Sequence, residues 1–123
     1  MIQDTIQEFG QQLGIADLRL SANDDVVLEI DGIGASSIRV LGDTLFLSLA
    51  RESPIANEPS AARLLACAHY RNCPRFPLEF RRTGFGHTTV VATRLATETT
   101  RGTDVLEALD FLTNTMDRVS RPA

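Results

Sequence analysis

The first apolar positions of the chain recur with helical spacing. Ile2, Ile6, Phe9 and Leu13 follow at steps of four, three and four, which sets them on one helix face, while Gln3, Gln7, Gln11 and Gln12 cover the others. Gly14 comes directly after, where helices commonly end in a left-handed residue. The period then changes to two. Leu18 and Leu20 alternate across Arg19, Ser21 to Asp25 reads as a polar turn, and Val26 to Ile30 resumes the extended pattern up to Asp31-Gly32. Ile38, Val40 and Leu41 lead into Gly42-Asp43, a two-residue hairpin turn of the type that takes glycine first. Beyond it Leu45, Leu47 and Leu49 share one face of a strand over 44–49, with Phe46 and Ser48 on the other. An antiparallel meander of adjacent hairpins is expected.

Residues 51–58 read as a linker, with Ser53-Pro54 and Asn57-Glu58-Pro59. Proline suits a first helical turn, so a central helix is expected from Pro59 to about Tyr70, capped by Asn57 or Glu58 and striped with Ala61, Leu64, Leu65 and Ala68. Asn72 to Pro74 ends it. Phe76, Leu78 and Phe80 alternate as a strand, and Pro77 within it lacks a ladder donor, which favours an edge or an interface. After the turn Thr83-Gly84-Phe85-Gly86, residues 88–96 are β-branched and extended. Thr89, Val91, Thr93 and Leu95 take one face, and Val90, Ala92 and Arg94 the other. Thr103 is expected to cap a last helix opened by Asp104, with Val105, Leu109, Leu112, Met116 and Val119 as its buried stripe. Residues 1–123 thus read as a single α+β domain, an antiparallel sheet flanked by three helices in the order α-β-β-β-(β)-α-β-β-α.

Composition adds limits. With 123 residues, 43% apolar and 23% charged, the chain suits one globular domain with its own core. No apolar run nears the ~20 residues that span a bilayer, and Met1 to Thr5 has neither the basic nor the apolar stretch of a signal peptide. A cytoplasmic location and no membrane contact are expected. All twelve basic residues are arginine, a usage that resembles the codon bias of GC-rich bacterial genomes. Residues 1–62 hold three Arg against ten acids (net −7), 63–101 seven against two (+5), and 102–123 two against four (−2). Arg63, Arg71, Arg75, Arg81, Arg82 and Arg94 open a nucleic-acid reading. Aromatic residues among them are few, and the whole chain carries −4, so electrostatic matching to a protein partner is more economical and no nucleic acid is expected.

Candidate chemistry is thin. Cys67, His69 and Cys73 form Cys-x-His-x3-Cys with a distant His87, a spacing that fits no common zinc finger, and Pro74 follows the second cysteine. Two free thiols in a reducing compartment are expected. Gly84-Phe85-Gly86 lacks a third glycine and precedes a strand, so it is no phosphate cradle. There is no Gly-x-Ser-x-Gly elbow. Asp24 and Asp25 suit a turn, Glu107 and Asp110 a solvated helix face, and His69 a packed or capping position. No catalytic residue, metal ligand or cofactor is assigned, and no enzymatic activity is expected. What remains is apolar surface: Phe46, Phe76, Phe85 and Val90 lie on faces that one small core does not easily cover, the mark of a partner site.

Four stretches carry a family likeness: "IQEFGQQLGI" as a first helix ending in Leu-Gly, "DLRLSANDDVVLEIDG" as a first hairpin, "DTLFLSLA" as the strand before a central helix, and "LEALDFLTNTMDRV" as a C-terminal helix. Together they resemble the class I chaperones of bacterial type III secretion over nearly the full chain. From "LSLARES" onward the likeness is greatest to the SycN-type members. The resemblance implies a small acidic dimer, without cofactor, that binds the N-terminal region of a secreted effector or gatekeeper protein and keeps it export-competent. Cargo in that family wraps the dimer in extended form, docks apolar residues into patches and sometimes adds a strand. It implies a dimer interface at Leu64, Leu65 and Ala68 with the strand of Phe76, Leu78 and Phe80. It implies cargo contacts at Ile2, Ile6, Phe9 and Phe46, to which the surplus apolar Val90 is added. SycN-type members pair with a different small chaperone, so a heterodimer stands beside the homodimer. The Arg-rich "HYRNCPRFPLEFRR", with its proline-broken strand, departs from the family pattern. Two other readings stay open, a small nucleic-acid-binding domain using residues 63–94 and a structural subunit of a larger complex.

Overall fold

Helix α1 (Ile2–Gln12) buries Ile6, Phe9 and Gly10 along the stripe that the spacing predicts. It ends in a Schellman motif: the Ile15 amide donates to the Gly10 carbonyl at 2.8 Å and the Gly14 amide to the Gln11 carbonyl at 3.1 Å. Gly14 takes φ +80°, the left-handed turn that glycine permits without strain. The computed structural model describes residues 2–52, 76–83 and 88–120, with the side chains of 80–83 and 119–120 left out. The expected central helix, with Leu64, Leu65, Cys67, Ala68 and His69, lies outside the described residues, as do Cys73, Phe85 and His87.

Five strands form one antiparallel sheet: β1 (Asp25–Ile30), β2 (Gly34–Leu41), β3 (Thr44–Glu52), β4 (Glu79–Thr83) and β5 (Thr88–Ala96), in the order β1-β2-β3-β5-β4. Leu41 pairs Thr44 across the Gly42-Asp43 turn, where Gly42 has φ +60°. Only the first of the two turn residues is left-handed, as the glycine-first type requires. Three expectations are corrected. Leu18 and Leu20 belong to no strand; the Leu20 amide donates to the Gln3 side chain and Leu18 is buried against the core. Strand β3 runs on to Glu52, because Ala50, Arg51 and Glu52 keep pairing with Val90, Thr89 and Thr88, so the linker does not begin at 51. Phe76 and Leu78 precede β4 and are core residues, with the Phe76 ring 5.6 Å from that of Phe111.

Helix α2 (Gly102–Ser120) is capped at Arg101, two residues before the expected Thr103. The Asp104 carboxylate accepts from the Arg101 amide at 2.8 Å, while the Arg101 carbonyl accepts from the amides of Asp104 and Val105. An acid three residues into the helix thus closes a capping box, which an arginine cap with no side-chain acceptor completes through its backbone alone. Helix α2 packs over β3 and β5, and α1 packs along α2. The core between helices and sheet holds Ile38, Leu45, Leu47, Leu49 and Val91 against Val105, Leu109, Leu112 and Met116.

Arg51 ties three elements together at the end of β3. Its Nε donates to the Ile33 carbonyl in the β1–β2 turn, and its Nη1 meets the Asp117 carboxylate of α2 at 2.5 Å. The guanidinium is mostly buried and Asp117 half-exposed, which places the pair between a surface and a buried ion pair. Arg51→Met is expected to cost about 1–2 kcal/mol, read as a lower denaturant midpoint at unchanged slope. Asp117→Asn should lose less, since the carbonyl contact survives.

Candidate partner-binding face

Residues paired across an antiparallel sheet point to the same side, so the registers define both faces. The face opposite the helices carries Asp25, Val27 and Glu29 from β1, Ala35, Ser37, Arg39 and Leu41 from β2, Phe46, Ser48 and Ala50 from β3, and Val90, Ala92 and Arg94 from β5. Its middle is smooth, because Ser37 pairs Ser48 and Ser48 pairs Ala92, while Ala35 pairs Ala50 and Ala50 pairs Val90. Large apolar side chains stand out around that middle: Val27 is 66% exposed, Leu41 52% and Phe46 38%. No described element covers this face.

The positions assigned to cargo divide accordingly. Phe46 stands in solvent, and Ile2 and Val90 are half-buried. Ile6 and Phe9 are corrected: both are 0% exposed, so nothing on them is left for a partner to cover. Phe76 and Leu78, assigned to a dimer interface, are likewise 8% exposed inside the protomer. Leu64, Leu65 and Ala68 fall outside the described residues, and Phe80 is described only in its backbone. Val27, Leu41 and Arg39 are the face residues that the sequence reading does not single out. In the run Val26-Val27-Leu28 only the pairing register tells which valine faces out.

The rim offers backbone as well. The Val40 amide donates to the Asp24 carbonyl at 2.9 Å, which fixes the parity of the β1–β2 ladder. Val26, Leu28 and Ile30 therefore bond to β2, and Val27 and Glu29 turn their N–H and C=O groups to the open side. At the near end the Asp25 carbonyl is taken by the Ser21 amide at 2.7 Å. From Val27 to Glu29, β1 has no strand partner on its outer side among the described residues. Such an edge can template an added strand.

An open cavity of about 680 Å³ lies where the β1–β2 turn meets the ends of β3 and β5, lined by Glu29, Asp31, Arg51 and Glu52 among others. Among the residues lining it, the one cation, Arg51, is held by Asp117. Among the described residues no three His, Cys, Asp or Glu side chains gather as a metal site. Among them, too, no helix is long and apolar enough to cross a membrane. Of the six arginines in the nucleic-acid reading only Arg94 has a described side chain, and it lies 3.7 Å from the Glu79 carboxylate.

No protein-family model matches the chain, and no curated protein matches its sequence. Solved structures do match. The type III secretion chaperone SycH of Yersinia pestis, solved in complex with a stable fragment of YscM2, superposes with a TM-score of 0.69 at 16% identity, covering 97% of each chain. The chain therefore shares the fold of SycH. A second match is the heterodimeric ExoU–SpcU complex from the type III secretion system of Pseudomonas aeruginosa, at TM-score 0.69 and 14% identity over 94% of each chain. YbjN of E. coli, a proposed transcription regulator, shares the fold at TM-score 0.58 and 18% identity, over 98% of this chain and 90% of its own. At these identities the likeness is one of fold.

Proposed function

We propose that the chain is a non-enzymatic type III secretion chaperone that binds the N-terminal region of a secreted effector or gatekeeper protein and keeps it export-competent. The observation that carries this reading is an apolar sheet face that no described element covers, on a fold whose solved counterpart SycH holds a fragment of another protein. A segment laid over Phe46, Leu41 and Val27 buries its apolar side chains there, and a stretch beside Val27 and Glu29 satisfies its backbone as an added strand. A chain held in this way cannot collapse onto its own core, which is what export-competence requires physically. Dimerisation through Leu64, Leu65 and Ala68 belongs to the same proposal, as does the SycN-type alternative of a different small chaperone as the second subunit. Action on cargo before export places the protein in the cytoplasm.

Phe46→Asp puts a charge into the centre of the face at an exposed position, so the fold should keep its melting temperature while capture of cargo falls about 30-fold or more. Copurification with the N-terminal segment of a secreted protein encoded beside this chain reads the effect. Val27→Pro removes an edge donor that faces away from β2, so the sheet survives and strand addition does not. A purified chain that captures no such segment, with Phe46→Asp indistinguishable from the wild type, would end the reading. Light scattering of the chain alone and of the chain with a candidate second chaperone separates homodimer from heterodimer.

A further inference from the structure

Phe46 does not stand alone on its row. The β2–β3 register sets it opposite Arg39 and the β3–β5 register opposite Arg94, so an aromatic ring is flanked by two arginines on the same face. Neighbouring strands are about 4.8 Å apart, which puts the two arginine positions about 10 Å apart with the ring midway. Neither cation is strongly committed. Arg39 has no hydrogen-bond or ion-pair partner among the described residues; its register neighbour Asp25 accepts from the Ser21 hydroxyl at 2.5 Å instead. Among the described residues Arg94 faces only Glu79 at 3.7 Å, with both side chains more than half exposed, a contact worth little in water. Beside the ring, Pro77, Glu79 and Arg94 edge a notch of about 20 Å³, room for a methyl group. A chain of net charge −4 thus surrounds the most exposed of its described aromatic side chains with positive charge.

We infer that this row selects an acidic partner: a protein segment that sets an apolar side chain on Phe46 and a carboxylate on each side, about 10 Å apart, against Arg39 and Arg94. The inference rests on the proposed chaperone reading and adds the chemistry of the cargo. Charge-assisted guanidinium–carboxylate contacts strengthen as the apolar centre excludes water. A second copy of this chain is the wrong occupant. A two-fold axis in the sheet plane through Phe46, along the row or across it, brings arginine against arginine. Nucleic acid is disfavoured because Asp25, Glu29 and Glu79 share the face and would meet its phosphates.

Fluorescence anisotropy with two labelled peptides tests this, one built on Glu-Ile-Leu-Glu repeats and one with Lys in place of Glu. The Glu peptide should bind and the Lys peptide should not. The double variant Arg39→Gln with Arg94→Gln should weaken binding about tenfold or more at low salt, with a smaller loss at high salt. Glu79→Gln, which removes the competitor for Arg94, should tighten it. Thermal melts of all variants should match the wild type, since every altered side chain is exposed. Equal binding of the two peptides overturns the inference, as does a double variant that binds like the wild type. If Phe46→Asp still abolishes binding in that case, the apolar face stands and only the charge selection falls; if Phe46→Asp binds normally, the face itself is not the site. Failure of the Glu peptide to bind, tighter binding of duplex DNA, or a change of oligomeric state in Phe46→Asp each overturns it too.

Discussion

A Phe9→Ala chain melts far below the wild type. Phe9 has no exposed surface and fills the space between α1 and the rest of the core. Truncating a fully buried phenylalanine removes its transfer free energy and leaves a cavity, together about 3–5 kcal/mol. Against a total stability of about 5–15 kcal/mol, this takes a large share and lowers the midpoint by on the order of 10–20 °C. Phe46→Ala, on the opposite face, should change stability by less than about 1 kcal/mol. A calorimetric comparison of the two variants checks which phenylalanine holds the fold and which is free for a partner. Similar losses at both positions would contradict the face assignment.

Gly34→Ala is the second large loss. Gly34 has φ +133°, a conformation that side chains avoid, and an added Cβ would lie 2.7 Å from the Ala50 carbonyl oxygen and 3.0 Å from the Arg51 Cγ. A carbonyl inside the β2–β3 ladder cannot swing away as a flexible side chain does. Strain and overlap together should cost about 2–4 kcal/mol and loosen the end of the sheet where Arg51 meets Ile33. Gly42→Ala is the control. Gly42 is also left-handed, at φ +60°, but an added Cβ there meets nothing within 4 Å. Only the backbone term applies, about 1 kcal/mol. Denaturant melts of the two variants separate crowding from conformation.

Helices were legible because their stripes depend on local spacing alone: Ile6 and Phe9 in α1, and Val105, Leu109, Leu112 and Met116 in α2, are buried as the period of 3.6 requires. The β2–β3 turn was legible from Gly42-Asp43. Period two was less faithful. Leu18-x-Leu20 and Phe76-x-Leu78 alternate as strands do, yet each is irregular chain that pushes apolar side chains into the core. A strand needs a neighbour to bond, and the neighbour is set by the tertiary fold. The same limit governs the candidate site. The outward direction of Phe46 follows from Leu45, Leu47 and Leu49 taking the other parity, which the sequence displays. Its company, Arg39 and Arg94, comes from strands seven and 48 residues away in the chain and follows only from the register. For the same reason, surplus apolar residues could be counted but not sorted, and Phe76 proved to complete the core.

Helices α1 and α2, from opposite ends of the chain, lie side by side, and the Thr5 hydroxyl donates to the Thr100 carbonyl at 3.1 Å. During synthesis the β1–β2–β3 meander can form early from near neighbours, but its greasy side waits for residues 102–120, which leave the ribosome well after it. Until then the nascent protein is itself aggregation-prone. The core side of the sheet is therefore closed only once residues 102–120 have been made and have docked on it.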